Sequence, residues 1–251
     1  MGFFTDTTLC IGCKACEVAC KEWNGVPEDP IGFTGNSYDN TMSLGANTWR
    51  HVAFVERPNP TGDGVRWLMS SDVCKHCTDA ACLAVCPTGA LFRTEFGTVV
   101  VQQDVCNGCG YCIPACPFGV IDQRKGDGRA WKCTLCYDRL KGGLEPACAQ
   151  ACPTDSIQFG PLDELRTHAA ARVDQVRELG VTEARLYGHD PQDGVGGFGA
   201  FFLLLDEPQV YGLPRLPVDT TRHLAGMWRA AAVAAGALVV GVAAACAGGR
   251  R

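Results

Sequence analysis

The chain has 251 residues, a formal net charge of −5, 47% hydrophobic residues and 17 cysteines. This hydrophobic content excludes a disordered chain, and the acidic balance argues against nucleic-acid binding. The N-terminal MGFFTDTTLC has no basic stretch and no apolar stretch, so we expect no secretory signal. Reduced thiols are then expected, and they point to metal binding or catalysis rather than to disulfides.

The first cysteine group, CIGCKACEVAC, supplies Cys10, Cys13, Cys16 and Cys20. Residues 21–73 form an insertion before the next group. Gly, Asn and Pro dominate 24–47 and predict an irregular segment. Residues 52–56 and 65–70 are rich in β-forming side chains and predict two strands around a turn at 57–64.

Three more groups follow, and residues 87–105 connect the second to the third. In this connection, 90–93 and 98–101 predict a β-hairpin with its turn at 95–97. The remaining cysteines fall in these three groups: Cys74, Cys77, Cys82 and Cys86; Cys106, Cys109, Cys112 and Cys116; Cys133, Cys136, Cys148 and Cys152.

The chain after the last group predicts further regular structure. Residues 161–179 predict a surface helix with Pro161 at its first position, Asp163 and Glu164 in its first turn, and Gly180 at its end. Residues 185–187 and 201–205 predict strands. The Gly-rich 194–199 predicts a loop, and it does not lead from a strand into a helix as a nucleotide-binding loop would.

Residues 230–247 are uncharged and, as a helix, span about 27 Å, enough to cross a bilayer core. Residues 224–228 extend the segment, which predicts a single-pass C-terminal membrane anchor that packs on a partner's helices. A buried helix of a soluble protein is the alternative. Arginines on both sides of the segment leave its orientation undecided. Cys246 lies inside it and is expected to be a small apolar residue.

The spacing C-x2-C-x2-C-x3-C is typical of [4Fe–4S] sites. Three sulfurs of such a run converge on one cube, and the fourth points away to another cube. Pro87, Pro117 and Pro153 follow the fourth cysteine in three groups, and Lys21 replaces this proline in the first group. Tetrahedral zinc is the alternative, although uninterrupted runs of four cysteines suit a single ion poorly.

The divergent fourth cysteine requires the groups to work in pairs. The short connection pairs groups two and three as a ferredoxin-like unit over 74–116. Groups one and four then form a second unit from 1–73 and 117–160, with the insertion 21–73. Residues 161–222 are predicted as an extension and 223–251 as the anchor. The competing scheme pairs group one with group two, and group three with group four.

The predicted fold is therefore α+β, with two pseudo-symmetric 2[4Fe–4S] ferredoxin-like units, one inserted in the other, and a transmembrane helix. We number the ligand sets of the four predicted [4Fe–4S] clusters. Set 1 is Cys10, Cys13, Cys16 and Cys152; set 2 is Cys20, Cys133, Cys136 and Cys148; set 3 is Cys74, Cys77, Cys82 and Cys116; set 4 is Cys86, Cys106, Cys109 and Cys112.

The rest of the sequence offers no catalytic constellation. His76 lies inside CKHC and is expected to be packed or solvated, with hydrogen bonding to a cluster as the alternative. Basic residues in or beside the cysteine runs could compensate the negative charge of the clusters, but most of them are expected on the solvated surface. They are Lys14, Lys21, Lys75, Arg124, Lys132, Arg139 and Lys141.

The cysteine groups lie in four longer motifs: CIGCKACEVACKEWN, CKHCTDAACLAVCPTGAL, CGYCIPACPFG and KCTLCYDRLKGGLEPACAQACPTDSIQFG. YGLP at 211–214 and an apolar C-terminus follow them. Together these features resemble the iron–sulfur (beta) subunit of membrane-bound formate dehydrogenases. The resemblance implies an electron-transfer subunit between a molybdenum- or tungsten-pterin catalytic (alpha) subunit and a membrane cytochrome b (gamma) subunit. Beta subunits of DMSO reductase, polysulfide reductase and some hydrogenases share the four-cluster motif and are the alternative. Nitrate reductase relatives replace one ligand by tryptophan, whereas all sixteen positions are cysteine here.

Overall fold

The computed structural model describes residues 1–29, 32–35, 38–39, 41, 43–59 and 62–248. The chain divides into two compact units, Met1–Asp219 and Thr220–Arg251. Unit 1 contains every cysteine except Cys246. Both predicted ferredoxin-like units and the predicted extension 161–222, apart from its last three residues, therefore lie in unit 1.

The described residues of unit 1 form ten strands, six α-helices and a 3₁₀ helix at Pro208–Tyr211. The strands are β1 Gly2–Asp6, β2 Arg50–Pro58, β3 Val65–Val73, β4 Leu91–Arg93, β5 Val99–Val101, β6 Asp122–Gln123, β7 Ala130–Trp131, β8 Ile157–Gly160, β9 Arg185–Tyr187 and β10 Ala200–Leu204. The helices are α1 Ala15–Asn24, α2 Ala81–Ala84, α3 Cys112–Ala115, α4 Tyr137–Lys141, α5 Ala147–Gln150 and α6 Leu162–Glu178.

One sheet of four strands, in the order β8-β1-β10-β9, joins the two ends of unit 1. β1 pairs parallel with β10, while β8 and β9 are antiparallel to their neighbours. The extension 161–222 thus contributes two of the four strands, and it completes the sheet that β1 and β8 begin. Helix α6 packs on β1, β8 and β9.

Strand β1 is buried on both faces. Phe3 belongs to the core that contains Cys16, Cys20 and Cys133, and Phe4 belongs to the core beneath α6. Successive side chains of a strand point to opposite faces, so adjacent apolar residues serve two different cores. Strand β1 was not predicted, and its adjacent apolar residues Phe3 and Phe4 show none of the apolar–polar alternation that marks a half-buried strand.

Both predicted hairpins are confirmed. β2 pairs with β3 in a longer register than predicted, from Arg50 opposite Val73 to Pro58 opposite Val65. β4 pairs with β5, with Leu91 opposite Val101. Between α1 and β2 the described residues contain no helix or strand, in agreement with the predicted irregular segment. Residues 60 and 61 of the predicted turn lie outside the described residues.

The helix predicted over 161–179 is confirmed as α6, with one correction. Pro161 has φ −59° and ψ 131° and is therefore the N-cap residue rather than the first helical residue. Its extended ψ places it just outside the helix, and Leu162 begins it. Gly180 follows the end of α6 with φ 97°, a left-handed conformation that glycine adopts without strain. The strands predicted at 185–187 and 201–205 are confirmed as β9 and β10.

Proline decides how long the helix of each cysteine group is. Helices α2, α3 and α5 have four residues each and end one or two residues before the fourth cysteine of their group. The following proline disfavours helical backbone in the residue before it. In the first group Lys21 occupies this position, and α1 therefore continues through ten residues to Asn24.

Unit 2 contains a single helix, α7 at Leu224–Gly248, which has 25 residues. An 18-residue window of this helix has a mean hydropathy of 2.2, and it is the one described helix long and apolar enough to cross a membrane. Each of its residues is exposed within the chain. The helix predicted over 230–247, with its extension to 224, is confirmed; Arg250 and Arg251 lie outside the described residues.

We expect Gly188→Ala to lower the free energy of unfolding by about 3 kcal/mol, from backbone strain and overpacking together. Gly188 has φ 81°, and a Cβ atom there would lie 1.7 Å from the Phe198 ring. Phe198 is fully buried and cannot give way. Gly126→Ala is the control, since Gly126 has φ 96° but no heavy atom within 4 Å of its added Cβ. Anaerobic chemical denaturation measures both, and equal losses would contradict the clash.

Candidate functional site

The structure brings the thiols of set 1 together, although Cys152 lies far from the others in sequence. Burial raises the pKa of Cys10, the N–H of Gly12 opposes this, and the neighbouring thiols of Cys16, Cys152 and Cys13 raise the pKa further. The same four cysteines line one cavity. Cys13 is exposed and Cys16 is buried, so the cavity runs from the surface towards the core.

The thiols of set 2 also come together from two distant segments. Burial raises the pKa of Cys20, and its neighbours Cys133, Cys148 and Cys136 raise it further. The four cysteines of this set are all buried. Helices α1 and α5, which carry Cys20 and Cys148, pack on each other. Crowding of buried thiols disfavours the thiolate form unless cations compensate the negative charge.

The thiols of sets 3 and 4 are arranged in the same way. Burial raises the pKa of Cys77, and Cys74, Cys116 and Cys82 raise it further. These four cysteines line a second cavity.

In set 4, burial raises the pKa of Cys112 to about 11, its own backbone N–H opposes this, and Cys106, Cys109 and Cys86 contribute to the rise. Helices α2 and α3, which carry Cys82 and Cys112, pack on each other. The two helix pairs therefore join groups one and four, and groups two and three.

Thiols of one set act electrostatically on thiols of another, and these pairs indicate which sets are neighbours. Cys16 of set 1 contributes to the raised pKa of Cys148 in set 2, after burial and against the opposing charge of Arg50. Burial and then Cys74 of set 3 raise the pKa of Cys133 in set 2 to about 12. Cys112 of set 4 likewise acts on Cys82 of set 3. The sets therefore follow one another in the order 1, 2, 3, 4.

The loop before the second cysteine of each group has a left-handed residue. These residues are Gly12, His76, Gly108 and Leu135, with φ values of 67°, 45°, 72° and 58°. A left-handed residue reverses the chain and turns successive N–H groups to one side, which forms a concave site for negative charge. The groups are thus repeats in backbone conformation as well as in sequence.

A second repeat follows the fourth cysteine of groups two, three and four. The N–H groups of Gly89, Gly119 and Asp155 each donate to the carbonyl oxygen of the cysteine three residues earlier, at 3.4 Å. All three residues have positive φ. At Cys86, burial alone would raise the pKa, but the N–H of Leu91, the hydroxyl and N–H of Thr88 and the N–H of Ala90 lower it. This turn therefore stabilises negative charge on the fourth sulfur.

The geometry fits a cluster better than a single ion. Among the described residues, no three His, Cys, Asp or Glu side chains converge closely enough to hold one metal ion. Four thiolates around one zinc ion lie at about 2.3 Å from a common centre. In a [4Fe–4S] cluster each thiolate binds a different iron, and the four sulfurs stand further apart. Thiols that are neighbours but do not converge on one point therefore suit a [4Fe–4S] cluster better than a zinc ion.

The prediction of solvated basic residues is wrong for Lys75, Lys132 and Arg139, which are all buried. Lys75 donates to Asp72 and to the Val73 carbonyl, and Lys132 donates to the carbonyls of Val99 and Cys133. Buried cations need negative surroundings. Sequence patterns do not distinguish them from surface lysines, because their burial depends on segments distant in sequence.

His76 is also buried, in agreement with the packed alternative. Its Nδ1 accepts a hydrogen bond from the Val99 N–H at 3.0 Å. The proton therefore resides on Nε2, which has no hydrogen-bond partner. Burial lowers the pKa of His76, and the nearby charges of Lys132 and Arg93 lower it further. A neutral imidazole with a free donor thus lines the cavity of set 3.

Comparison with known proteins gives two domain matches. Residues 9–90 and residues 65–162 each match a family described as a 4Fe-4S dicluster domain. Together the matches include all four cysteine groups. They overlap at 65–90, so neither match marks a domain boundary.

Whole-chain comparison identifies similar subunits of formate dehydrogenases and of a dimethyl sulfoxide reductase. The chain is 42% identical over 230 residues to the formate dehydrogenase-O iron-sulfur subunit of Escherichia coli strain K12, an alignment that covers 89% of this chain and 75% of that protein. It is 43% identical over 216 residues to the formate dehydrogenase iron-sulfur subunit of Haemophilus influenzae, covering 84% and 68%. The B subunit of the anaerobic dimethyl sulfoxide reductase of Escherichia coli is 39% identical over 165 residues, covering 66% of this chain and 75% of that protein.

Proposed function

Since the chain belongs to the family of formate dehydrogenase iron–sulfur subunits, we propose that it is the electron-transfer subunit of a formate dehydrogenase complex. The observation that carries this proposal is a row of four cysteine sets in a chain that is 42% identical to such a subunit over 89% of its length. The described residues contain no catalytic constellation apart from these sets. Substrate chemistry is therefore assigned to a partner subunit.

Sets 1 to 4, as numbered above, would each hold one [4Fe–4S] cluster. The proposal of four clusters is supported by the two dicluster-domain matches and by the proximity of the thiols in each set. When bound, a [4Fe–4S] cluster supplies a centre that takes up and releases one electron. The chain's own residues would bind the irons, exclude water from set 2 and compensate negative charge.

The ends of the row suit exchange with partners. Cys13 of set 1 and Cys109 of set 4 are exposed, whereas all cysteines of set 2 are buried. Exposed apolar side chains lie beside both ends, Ile11 near set 1 and Tyr111 near set 4. We assign one end to a molybdenum- or tungsten-pterin catalytic subunit and the other to a membrane cytochrome b subunit. Helix α7 would attach the chain to the cell membrane.

The same arrangement could serve another oxidoreductase, because the chain is also similar to the B subunit of a dimethyl sulfoxide reductase. That similarity covers 66% of the chain, against 89% for the formate dehydrogenase relative. The additional coverage favours the formate dehydrogenase assignment.

The proposal predicts about sixteen irons and as many sulfides per chain, with little zinc, after anaerobic purification of the chain with its partners from native membranes. Formate should reduce the clusters, as seen by bleaching of visible absorption and by a paramagnetic signal. Dithionite provides the fully reduced reference. Reduction by hydrogen tests a hydrogenase, and reoxidation of the reduced clusters by dimethyl sulfoxide tests a dimethyl sulfoxide reductase. Zinc in place of iron would contradict the cluster assignment. Reduction by another donor but not by formate would contradict the formate dehydrogenase assignment alone.

A further inference from the structure

Arg50 begins strand β2 and is buried, with 2% of its surface exposed. Its guanidinium packs on the ring of Phe3, which lies in one core with thiols of set 1 and set 2, namely Cys16, Cys20, Cys133 and Cys148. The thiols that act electrostatically on its guanidinium belong to both sets: Cys148, Cys133 and Cys20 in set 2, and Cys16 in set 1. The arginine was not predicted as a site residue, since it lies in the insertion 21–73, remote from every cysteine run.

The protein itself leaves much of this guanidinium without a partner. Nη1 donates to the hydroxyl of Ser71 at 3.0 Å and to its carbonyl at 3.3 Å. The guanidinium lies 4.9 Å from the centre of the Phe3 ring. Nε and Nη2 have no hydrogen-bond partner. No ion pair among the described residues involves Arg50.

A buried arginine without a carboxylate destabilises the fold unless other negative charge compensates it. A cluster with four thiolates carries a net charge of about −2 when oxidised and becomes more negative on reduction. The groups around Arg50 that supply such charge are the thiolates of sets 1 and 2. The orphaned N–H groups are therefore accounted for by two adjacent clusters.

We propose that Arg50 is a positioning residue shared by sets 1 and 2, whose fixed positive charge raises the reduction potentials of both clusters together. This inference rests on the proposed function, because it requires clusters in these two sets. A nearby cation stabilises the reduced, more negative state of each cluster. Since the charge is buried, solvent and salt screen it weakly.

Ser71 connects the arginine to one set in particular. Its hydroxyl accepts from Nη1 of Arg50 and lies 3.3 Å from Sγ of Cys16. Removal of this hydroxyl should therefore affect the cluster of set 1 and leave that of set 2 nearly unchanged. Removal of the charge of Arg50 should affect both clusters.

The test is a potentiometric titration, monitored by paramagnetic resonance, of the full chain purified anaerobically with its partner subunits. In Arg50→Gln or Arg50→Met, we expect two of the four clusters to show at least a tenfold lower ratio of reduced to oxidised form at fixed potential. A tenfold change in this ratio corresponds to a reduction potential lower by about 59 mV for a one-electron couple. Arg50→Lys should retain most of the wild-type potential, and Ser71→Ala should shift only one cluster.

Arg66→Gln is the matched control, because Arg66 lies on the same hairpin but its charge is paired with Asp206 at 2.6 Å. It should shift none of the four potentials. Unchanged potentials in the neutral Arg50 variants, an equal shift of all four clusters, or a shift in Arg50→Lys as large as in Arg50→Gln would overturn the proposal.

Assembly of the clusters decides the remaining cases. Loss of iron from both neutral variants but not from Arg50→Lys would support the requirement for charge at this position. Loss of iron from all three variants would overturn it, because shape rather than charge would then be required. A wild-type chain without iron would instead contradict the proposed function, so the two failures are distinguishable.

Discussion

Replacement of Cys152 by alanine is expected to remove one complete cluster, leaving about twelve of sixteen irons per chain. Cys152 belongs to the fourth group in sequence, but its thiol is a neighbour of Cys10 and Cys16. The lost cluster should therefore be that of set 1. Iron and sulfide analysis, with the paramagnetic signal of each remaining cluster, measures the loss.

Double variants separate the predicted ligand sets from the competing scheme. Cys10→Ala with Cys152→Ala should cost one cluster, since both thiols belong to set 1. Cys136→Ala with Cys152→Ala should cost two and leave about eight irons. Under the competing scheme, which pairs group one with two and group three with four, both double variants would cost two clusters and leave about eight irons. Cys246→Ala is the control, because this exposed thiol of α7 belongs to no set, and its iron content should equal that of the wild type.

Deletion of residues 224–251 is expected to release the chain from membranes. Helix α7 exposes Leu238, Val239 and Val240, each about two-thirds or more accessible in the chain. An apolar helix of 25 residues measures about 37 Å, longer than the hydrocarbon core of a bilayer. Its burial in lipid compensates this exposure, and its removal leaves unit 1 with no described apolar helix of that length.

The measurement is sedimentation with membranes after an alkaline carbonate wash, which removes chains attached only through partners. Deletion of residues 249–251 alone is the control and should leave the chain in the membrane fraction. Val239→Arg, near the middle of α7, should weaken insertion, since arginine there costs about 2.5 to 3.5 kcal/mol. Equal carbonate-resistant sedimentation of the 224–251 deletion and the full chain would contradict the anchor.

Much of the local structure follows from short sequence patterns. The hairpins β2–β3 and β4–β5, helix α6 and helix α7 could be predicted because their turns, termini and apolar lengths are contained in single segments. Strand β1 could not, since Phe3 and Phe4 serve two cores on opposite faces. The partner strands of β1 lie more than 150 residues away, and no local pattern encodes that pairing.

The candidate site divides in the same way. Cysteine identity and spacing determined by themselves that the chain carries four repeated ligand groups, because each left-handed loop is built from neighbouring residues. Which thiols become neighbours was decided by the packing of α1 on α5 and of α2 on α3. The position of Arg50 near thiols of two sets was likewise decided by tertiary structure, since β2 carries a charge from a cysteine-free insertion into the core. Burial and electrostatic compensation depend on contacts between segments that are distant in sequence. Local sequence patterns do not specify those contacts, which form only in the folded chain.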